Sequence, residues 1–207
     1  MKTGLPARAR DALLLLLAGL AGLPAFAIDL PSVMSLLAQR KSGEARFTEE
    51  RTVSSLDSPL RSSGTLTFQA PDRFARFTLE PRAESMEVQG NNIVLKRGSR
   101  TRQLTLDSVP ELGALVEAIR GTLNGDGNAL QKQFKIGVSG ERAKWVLQMQ
   151  PLDARLAAQV QAIEIVGQEA DIRSIDLRLA GGDRSLMLVE PLAAPRPAPA
   201  QIGRAHV

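Results

Sequence analysis

The spacing of apolar residues divides the chain into a leader, a long stretch of mostly two-residue alternation, and a tail. After residue 27, Val33, Leu36 and Leu37 recur at helical spacing behind Asp29 and Pro31, which predicts a short amphipathic helix ending by Gly43. From Phe47 the period becomes two. Strands are expected at 47–53, 64–69, 74–79, 86–88, 93–96 and 102–106, with Asp57-Ser58-Pro59 and Gly90-Asn91 as turns. Ser108 and Glu111 then stand at capping-box spacing around Pro110, and Leu112, Leu115, Val116, Ile119 and Leu123 follow on one helical face. That central helix stops in the glycine-rich stretch 121–127, with a further short helical turn at 128–134. Strands resume at 144–150, 162–166, 172–179 and 184–189, the last two joined by Gly181-Gly182-Asp183.

Short strands linked by short turns favour an antiparallel meander, because parallel neighbours need a crossover between them. The expected fold is mainly β with helices (α+β): one antiparallel sheet of nine to eleven strands, accompanied by an N-terminal helix and an inserted central helix. Several strands carry bulky apolar groups on both faces, such as Phe74 against Phe77 and Leu79. Either both faces are covered, or the sheet curves around a space that helices close.

The ends change the picture. Lys2, Arg8 and Arg10, an apolar run at 12–23 and then Ala25-Phe26-Ala27 have the order of a cleavable signal peptide, residues 1–27. The run is about a dozen residues where a membrane-spanning helix needs about 20. No cysteine occurs anywhere in the chain, so the mature protein is expected in the periplasm, without lipid anchor or disulfide. A single domain spans 28–191, a Pro/Ala-rich tail 192–201, and residues 202–207 read as translated sequencing adapter. Taking Lys2, Arg8, Arg10 and Arg204 from the 26 basic residues, and Asp11 from the 22 acidic ones, leaves a net charge of about +1. With 3% aromatic residues there is no case for a nucleic-acid partner.

Chemistry is sparse. The one histidine lies among the last six residues, and without cysteine the usual nucleophile, general base and zinc ligand are missing, so no enzyme, cofactor or metal is expected. Glu49 and Glu50 are strand neighbours and point to opposite faces, so they cannot share a site. The stretch 124–128 offers oxygen ligands but reads as a helix-terminating turn. Lys96, Arg97, Arg100 and Arg102 around Gly98 are either a charged hairpin tip or a contact for lipid headgroups.

The order of elements, together with Phe47-Thr48-Glu49, Gly64-Thr65-Leu66 with Phe68, Pro71 with Phe74, Pro81 and Gly90-Asn91, resembles the periplasmic outer-membrane lipoprotein carrier family, the LolA-like proteins. The segment from Glu49-Glu50-Arg51-Thr52 to Leu56-Asp57-Ser58-Pro59-Leu60 is similar to a divergent branch of it, found beside glycolipid or polyene lipid export systems. The resemblance implies a curved antiparallel sheet forming an incomplete barrel, closed by the N-terminal helix and a central helical lid. It also implies a periplasmic carrier that takes acyl chains of lipoproteins or other lipids into its apolar cavity and shuttles them toward the outer membrane. Its partners would be the acylated cargo, an inner-membrane donor transporter or exporter, and an outer-membrane acceptor, with the carrier itself a monomer. Phe74 matches the family's functional phenylalanine, and Leu66, Phe68, Phe47, Leu112, Leu115, Val116 and Ile119 are the other candidate lipid-binding residues. Ala70 stands where the family's lid-locking arginine would be, with Arg73 and Arg76 as candidate substitutes. The alternative reading is a half-barrel module that binds a partner protein through a filled core, without lipid cargo.

Overall fold

The computed structural model describes residues 27–192; the leader up to residue 26, the tail from 193 and the last six residues lie outside the described residues. Helix α1 (Leu30–Leu37) is started by the Asp29 side chain, which accepts from the Ser32 backbone N–H at 2.9 Å, with Pro31 in the first turn. Six strands follow as a meander: β1 (Ser42–Thr52), β2 (Leu60–Gln69), β3 (Arg73–Glu80), β4 (Glu84–Gln89), β5 (Asn92–Arg97) and β6 (Arg100–Thr105). A 3-10 turn at Leu106–Ser108 leads into α2 (Pro110–Asn124) and α3 (Gly127–Gln133). The second meander comprises β7 (Phe134–Glu141), β8 (Lys144–Pro151), the one-turn helix α4 (Ala154–Ala157), β9 (Val160–Gln168), β10 (Asp171–Leu179) and β11 (Arg184–Pro191).

Strand β11 returns to pair with β1 over eight residues, from Ala45↔Pro191 to Thr52↔Arg184. The two meanders thereby fuse into one antiparallel sheet of 11 strands, ordered β6-β5-β4-β3-β2-β1-β11-β10-β9-β8-β7. Strands β6 and β7 are its edges and do not pair with each other, so the barrel is incomplete. At about 4.8 Å per strand a flat sheet of this size would be about 50 Å wide, far more than a helix of about 10 Å covers. Yet α2 packs through Val116 against Val88 and Ile93, and through Ala114, Ala118 and Ile119 in the same cluster as Trp145, Ile163 and Ile175. The sheet must therefore curl around α2, and breaks in register at Ser63/Gly64, Ile172/Ser174 and Arg178/Leu179 supply local bends.

Several sequence expectations need correction. Strand β1 begins at Ser42 and not Phe47, because Ser42–Glu44 are polar and their pairing with Thr67–Gln69 is invisible to an apolar pattern. Strand β7 had no signal: Lys135, Gly137, Ser139 and Gly140 dilute its alternation, and only Phe134 is buried along it. The central helix is not capped by Ser108, whose hydroxyl donates to the Thr105 carbonyl at 2.7 Å; Val109 takes the N-cap position with no side-chain bond. Its far end does stop at the glycines. Gly125 adopts φ 69° and its N–H reaches the Thr122 carbonyl, while Asp126 caps α3 through Ala129 N–H, so 124–128 is a turn between helices. The apolar groups on the outer face are not all covered: Phe77, Leu79 and Leu188 are exposed there while Phe74 lies inside.

Candidate functional site

The concave face is set by strand parity. Phe47, Leu66, Phe74, Val88 and Ile93 fall on one side, where the register aligns Leu66 with Arg76, Phe68 with Phe74, and Phe74 with Val88. Residues on that side meet the helices in two apolar clusters. One holds α1 and α3 against β7–β10 around the fully buried Trp145; the other holds Val116 and Leu112 of α2 against β4–β6. Phe74 is packed against both, which makes it the side chain joining the two halves of the interior.

Beside it lies an apolar cleft of about 80 Å³. Its walls are Leu66, Phe68 and Phe74 from the first meander, Ile119 and Leu123 from α2, and Ile172, Ile175 and Val189 from the second. Val116 meets Phe68, Phe74 and Ile119 in a smaller adjoining gap of about 10 Å³. Five of the eight expected residues thus converge: Phe74, Leu66, Phe68, Ile119 and Val116. Leu112 packs in the β4–β6 cluster and Leu115 against the Trp145 cluster, neither lining the cleft. Phe47 is buried elsewhere, with the Arg76 guanidinium over its ring at 4.4 Å from the centroid. The residues missed were Leu123, Ile172, Ile175 and Val189. Leu123 and Ile175 stood in the periodic patterns already, but which strand would face α2 depended on the β1–β11 pairing. At the rim, Arg40 Nη2 lies 2.5 Å from Asp171 Oδ1.

The lid is fastened from the helix side. Arg120 Nη2 donates to the Gly90 carbonyl at 2.9 Å, and Asn124 Nδ2 to the Pro71 carbonyl at 2.7 Å. These carbonyls sit in the β4–β5 and β2–β3 turns, so α2 is tied to both. Arg76 does not take this role. It is committed to Glu49 at 2.5 Å, to Ser62 Oγ at 3.0 Å and to Thr78 Oγ1 at 3.3 Å, and Ser185 Oγ donates to the other Glu49 oxygen at 2.5 Å. Burial pushes the Glu49 carboxyl up, but the hydrogen bonds and charge of Arg76, with Ser185 and Ser62, outweigh it and hold the group below its ordinary value. Glu50, its neighbour, points outward to Arg61.

Among the described residues there is no cluster of three or more metal-ligating side chains, and no helix long and apolar enough to cross a membrane. An open half-barrel whose apolar interior is roofed by a tied helix defines a binding protein of the lidded-barrel class. The chain belongs to the outer membrane lipoprotein carrier protein LolA-like family, whose model matches residues 21–204. Members of that family are periplasmic carrier and binding proteins, which places this chain among lipid-, lipoprotein- or partner-binding modules. No curated protein matches the sequence. Among solved structures, a LolA superfamily protein from Nitrosomonas europaea is similar at 10% identity and TM-score 0.44, covering 82% of this chain and 96% of that one. A putative outer membrane lipoprotein-sorting protein domain from Vibrio parahaemolyticus shares 8% identity at TM-score 0.42, over 81% and 93%. The MucA/MucB complex of Pseudomonas aeruginosa matches at 17% identity and TM-score 0.37, over 82% of this chain and 59% of that one.

Proposed function

We propose that the protein is a periplasmic carrier that takes the acyl chains of lipoproteins or other lipids between α2 and the concave face and delivers them toward the outer membrane. The observation that carries this reading is the position of Phe74: it joins both apolar clusters, lines the cleft and lies under a helix that Arg120 and Asn124 tie to the sheet. Each methylene buried contributes about 0.8 kcal/mol, so a few acyl chains supply tight binding without covalent chemistry. A cleft of about 80 Å³ cannot hold such a chain with the lid down. Loading therefore requires α2 to lift, and release follows when the cargo-free, closed state is favoured at the acceptor membrane. In this scheme an inner-membrane transporter or exporter donates the cargo and an outer-membrane acceptor receives it.

Protein stripped of copurifying lipid is expected to bind a fluorescent fatty-acyl probe, and Phe74→Glu to abolish that binding while the fold persists. Failure of the wild type to bind, or undiminished binding by the variant, sinks the proposal.

The same small cleft favours a second reading, a filled half-barrel that recognises a partner protein. Mass spectrometry of the protein purified from its native periplasm separates the two: stoichiometric acylated cargo supports the carrier, and a protein partner without lipid supports the module.

A further inference from the structure

Strands β11, β1, β2 and β3 lie side by side in the middle of the sheet, each hydrogen-bonded on both sides. Parity sends Leu186 and Leu188 of β11, Thr48 of β1, Ser63 and Thr65 of β2 and Phe77 of β3 to the outer face, away from the helices. The register break at Ser63/Gly64 sets Glu80 opposite Ser63, with Leu79 beside it. This part of the face is not flat. A groove of about 480 Å³ runs between Leu186 and Leu188 on one side and Glu80 and Pro81 on the other, with Thr48 and Ser63 as its floor. Leu188 is 55% exposed, and Leu79 and Phe77, next to the far wall, are 64% and 37% exposed. In the groove the Glu50 carboxylate is taken by Arg61 at 3.1 Å, and Glu49 is held on the other face by Arg76. Glu80 is the one lining charge that makes no ion pair among the described residues.

These features select an occupant. The strands beneath the groove are interior ones, so an extended peptide laid there finds no backbone partner and leaves its own amides unpaired. A helix closes its backbone hydrogen bonds internally and needs only side-chain contacts. The walls, on β11 and β3, are three strand spacings or ~14 Å apart. That admits a helix of ~10–12 Å, and the short hydroxyl side chains of the floor let it approach. The three exposed side chains offer on the order of 300 Å² of apolar area, against ~800 Å² from each partner in a stable complex. The face is therefore too small for a permanent dimer and suits a reversible contact. Glu80 adds a requirement for a cation on the partner.

We infer that this outer groove docks an amphipathic helix of a partner protein, with aliphatic side chains against Leu188, Leu79 and Phe77 and a lysine or arginine at Glu80. The groove lies on the opposite face of the sheet from the Phe74 cleft, so a docked helix leaves α2 uncovered. The docking site rests on neither reading of the interior.

The test is an amide-resolved NMR titration of the isotope-labelled protein with a stapled alanine-based helix carrying three leucines at i, i+4 and i+7 spacing and a lysine beside them. A second helix has glutamate in place of the lysine. The lysine helix is expected to shift the amides of 48–50, 61–65, 77–81 and 186–188 and to saturate below about 1 mM. The glutamate helix should bind about fivefold more weakly, the effect of one surface charge pair, and Glu80→Gln should bring the two helices level. Leu79→Ser with Leu188→Ser changes only exposed side chains and should weaken binding about tenfold or more. Absence of saturable shifts, or undiminished binding by the leucine variant, overturns the docking site. Equal affinity of the two helices for the wild type overturns the basic partner. Shifts at the same amides on concentrating the protein alone make the face a contact between copies, and equal shifts with dodecyl maltoside micelles make it a general apolar surface; either result overturns the inference. Acyl-probe binding is measured separately, so the carrier reading stands or falls on its own.

Discussion

Arg120 on α2 donates from Nη2 to the carbonyl of Gly90 in the β4–β5 turn, 2.9 Å away, so the arginine that ties lid to sheet sits on the lid and grips the backbone. Asn124 repeats the arrangement one turn later at Pro71. The Arg120 latch does not depend on the side chain at Ala70, where the family's arginine would stand. A carbonyl acceptor is supplied by any residue with the right turn geometry.

Replacing Arg120 with alanine removes, besides its pair with Glu117 within α2, the one charge-assisted bond it makes to the sheet, worth about 1 kcal/mol after screening, which raises the open population about fivefold. Stopped-flow association of a fluorescent acyl probe is expected to quicken by that order, and amide exchange along α2 to rise with it. An unchanged association rate would show that some other contact limits opening. Combining the change with Asn124→Ala should add to the effect, since both bonds act on one helix end.

Trp145 and Gly167 make a second dependence. They are paired across β8 and β9, and a Cβ on Gly167 would sit 1.9 Å from the indole ring, which is fully buried with its Nε1 donating to the Glu169 carbonyl at 2.9 Å. Gly167→Ala forces the ring or a strand to move and should destabilise the fold by ~2 kcal/mol, as overpacking of a close-packed core does. Urea unfolding followed by the fluorescence of this single tryptophan measures it directly.

The antiparallel class, the central helix and most strands were legible because Ile175, Leu177 and Leu179, or Leu112 through Leu123, repeat at periods only one secondary structure satisfies. Leu66 and Ile119 were legible as apolar-face residues for the same reason, whereas Phe74, opposed on β3 by Phe77 and Leu79, was singled out only through the family resemblance. Three things were not. Strand β7 is an edge with little to bury, so its sequence carries little alternation. The closure of β11 on β1 joins residues more than 130 positions apart, and it alone decides that Val189 and Ile175 face the same cleft as Phe74. The latch uses backbone carbonyls, which have no side-chain signature, and its arginine lies on α2, whereas the arginines that sequence alone offers for it, Arg73 and Arg76, lie on β3.

Acidification should weaken the fold through two carboxyls. At Asp176 burial raises the group, but hydrogen bonds and charge from Arg184 and Arg178 outweigh it and hold it below its ordinary value of 3.8. Glu49 is likewise held below 4.5 by Arg76. Both are depressed in the folded state, so their stabilisation is complete above the ordinary values and is lost as pH falls through the lowered ones. Stability should therefore be level from neutrality to the ordinary carboxylate range and decline below it. Asp176→Asn should flatten part of that decline and lower stability at neutral pH; a decline of unchanged steepness would assign acid sensitivity to other groups.

Ile119 offers a direct choice between the two readings of the interior. It is buried, lines both the cleft and the adjoining gap, and reaches Phe74 from the helix side. Ile119→Ala leaves a void and should lower stability by ~2–4 kcal/mol, whichever function the protein has. The consequences for binding diverge. In a carrier the new space adjoins the cleft, and a less tightly packed lid opens more readily, so affinity for a single-chain acyl probe should rise although the protein is less stable. In a filled interaction module the same substitution only weakens the core, and no acyl affinity appears. Measuring denaturant stability and probe affinity on one preparation therefore reads out opposite signs in the first case and a loss without gain in the second.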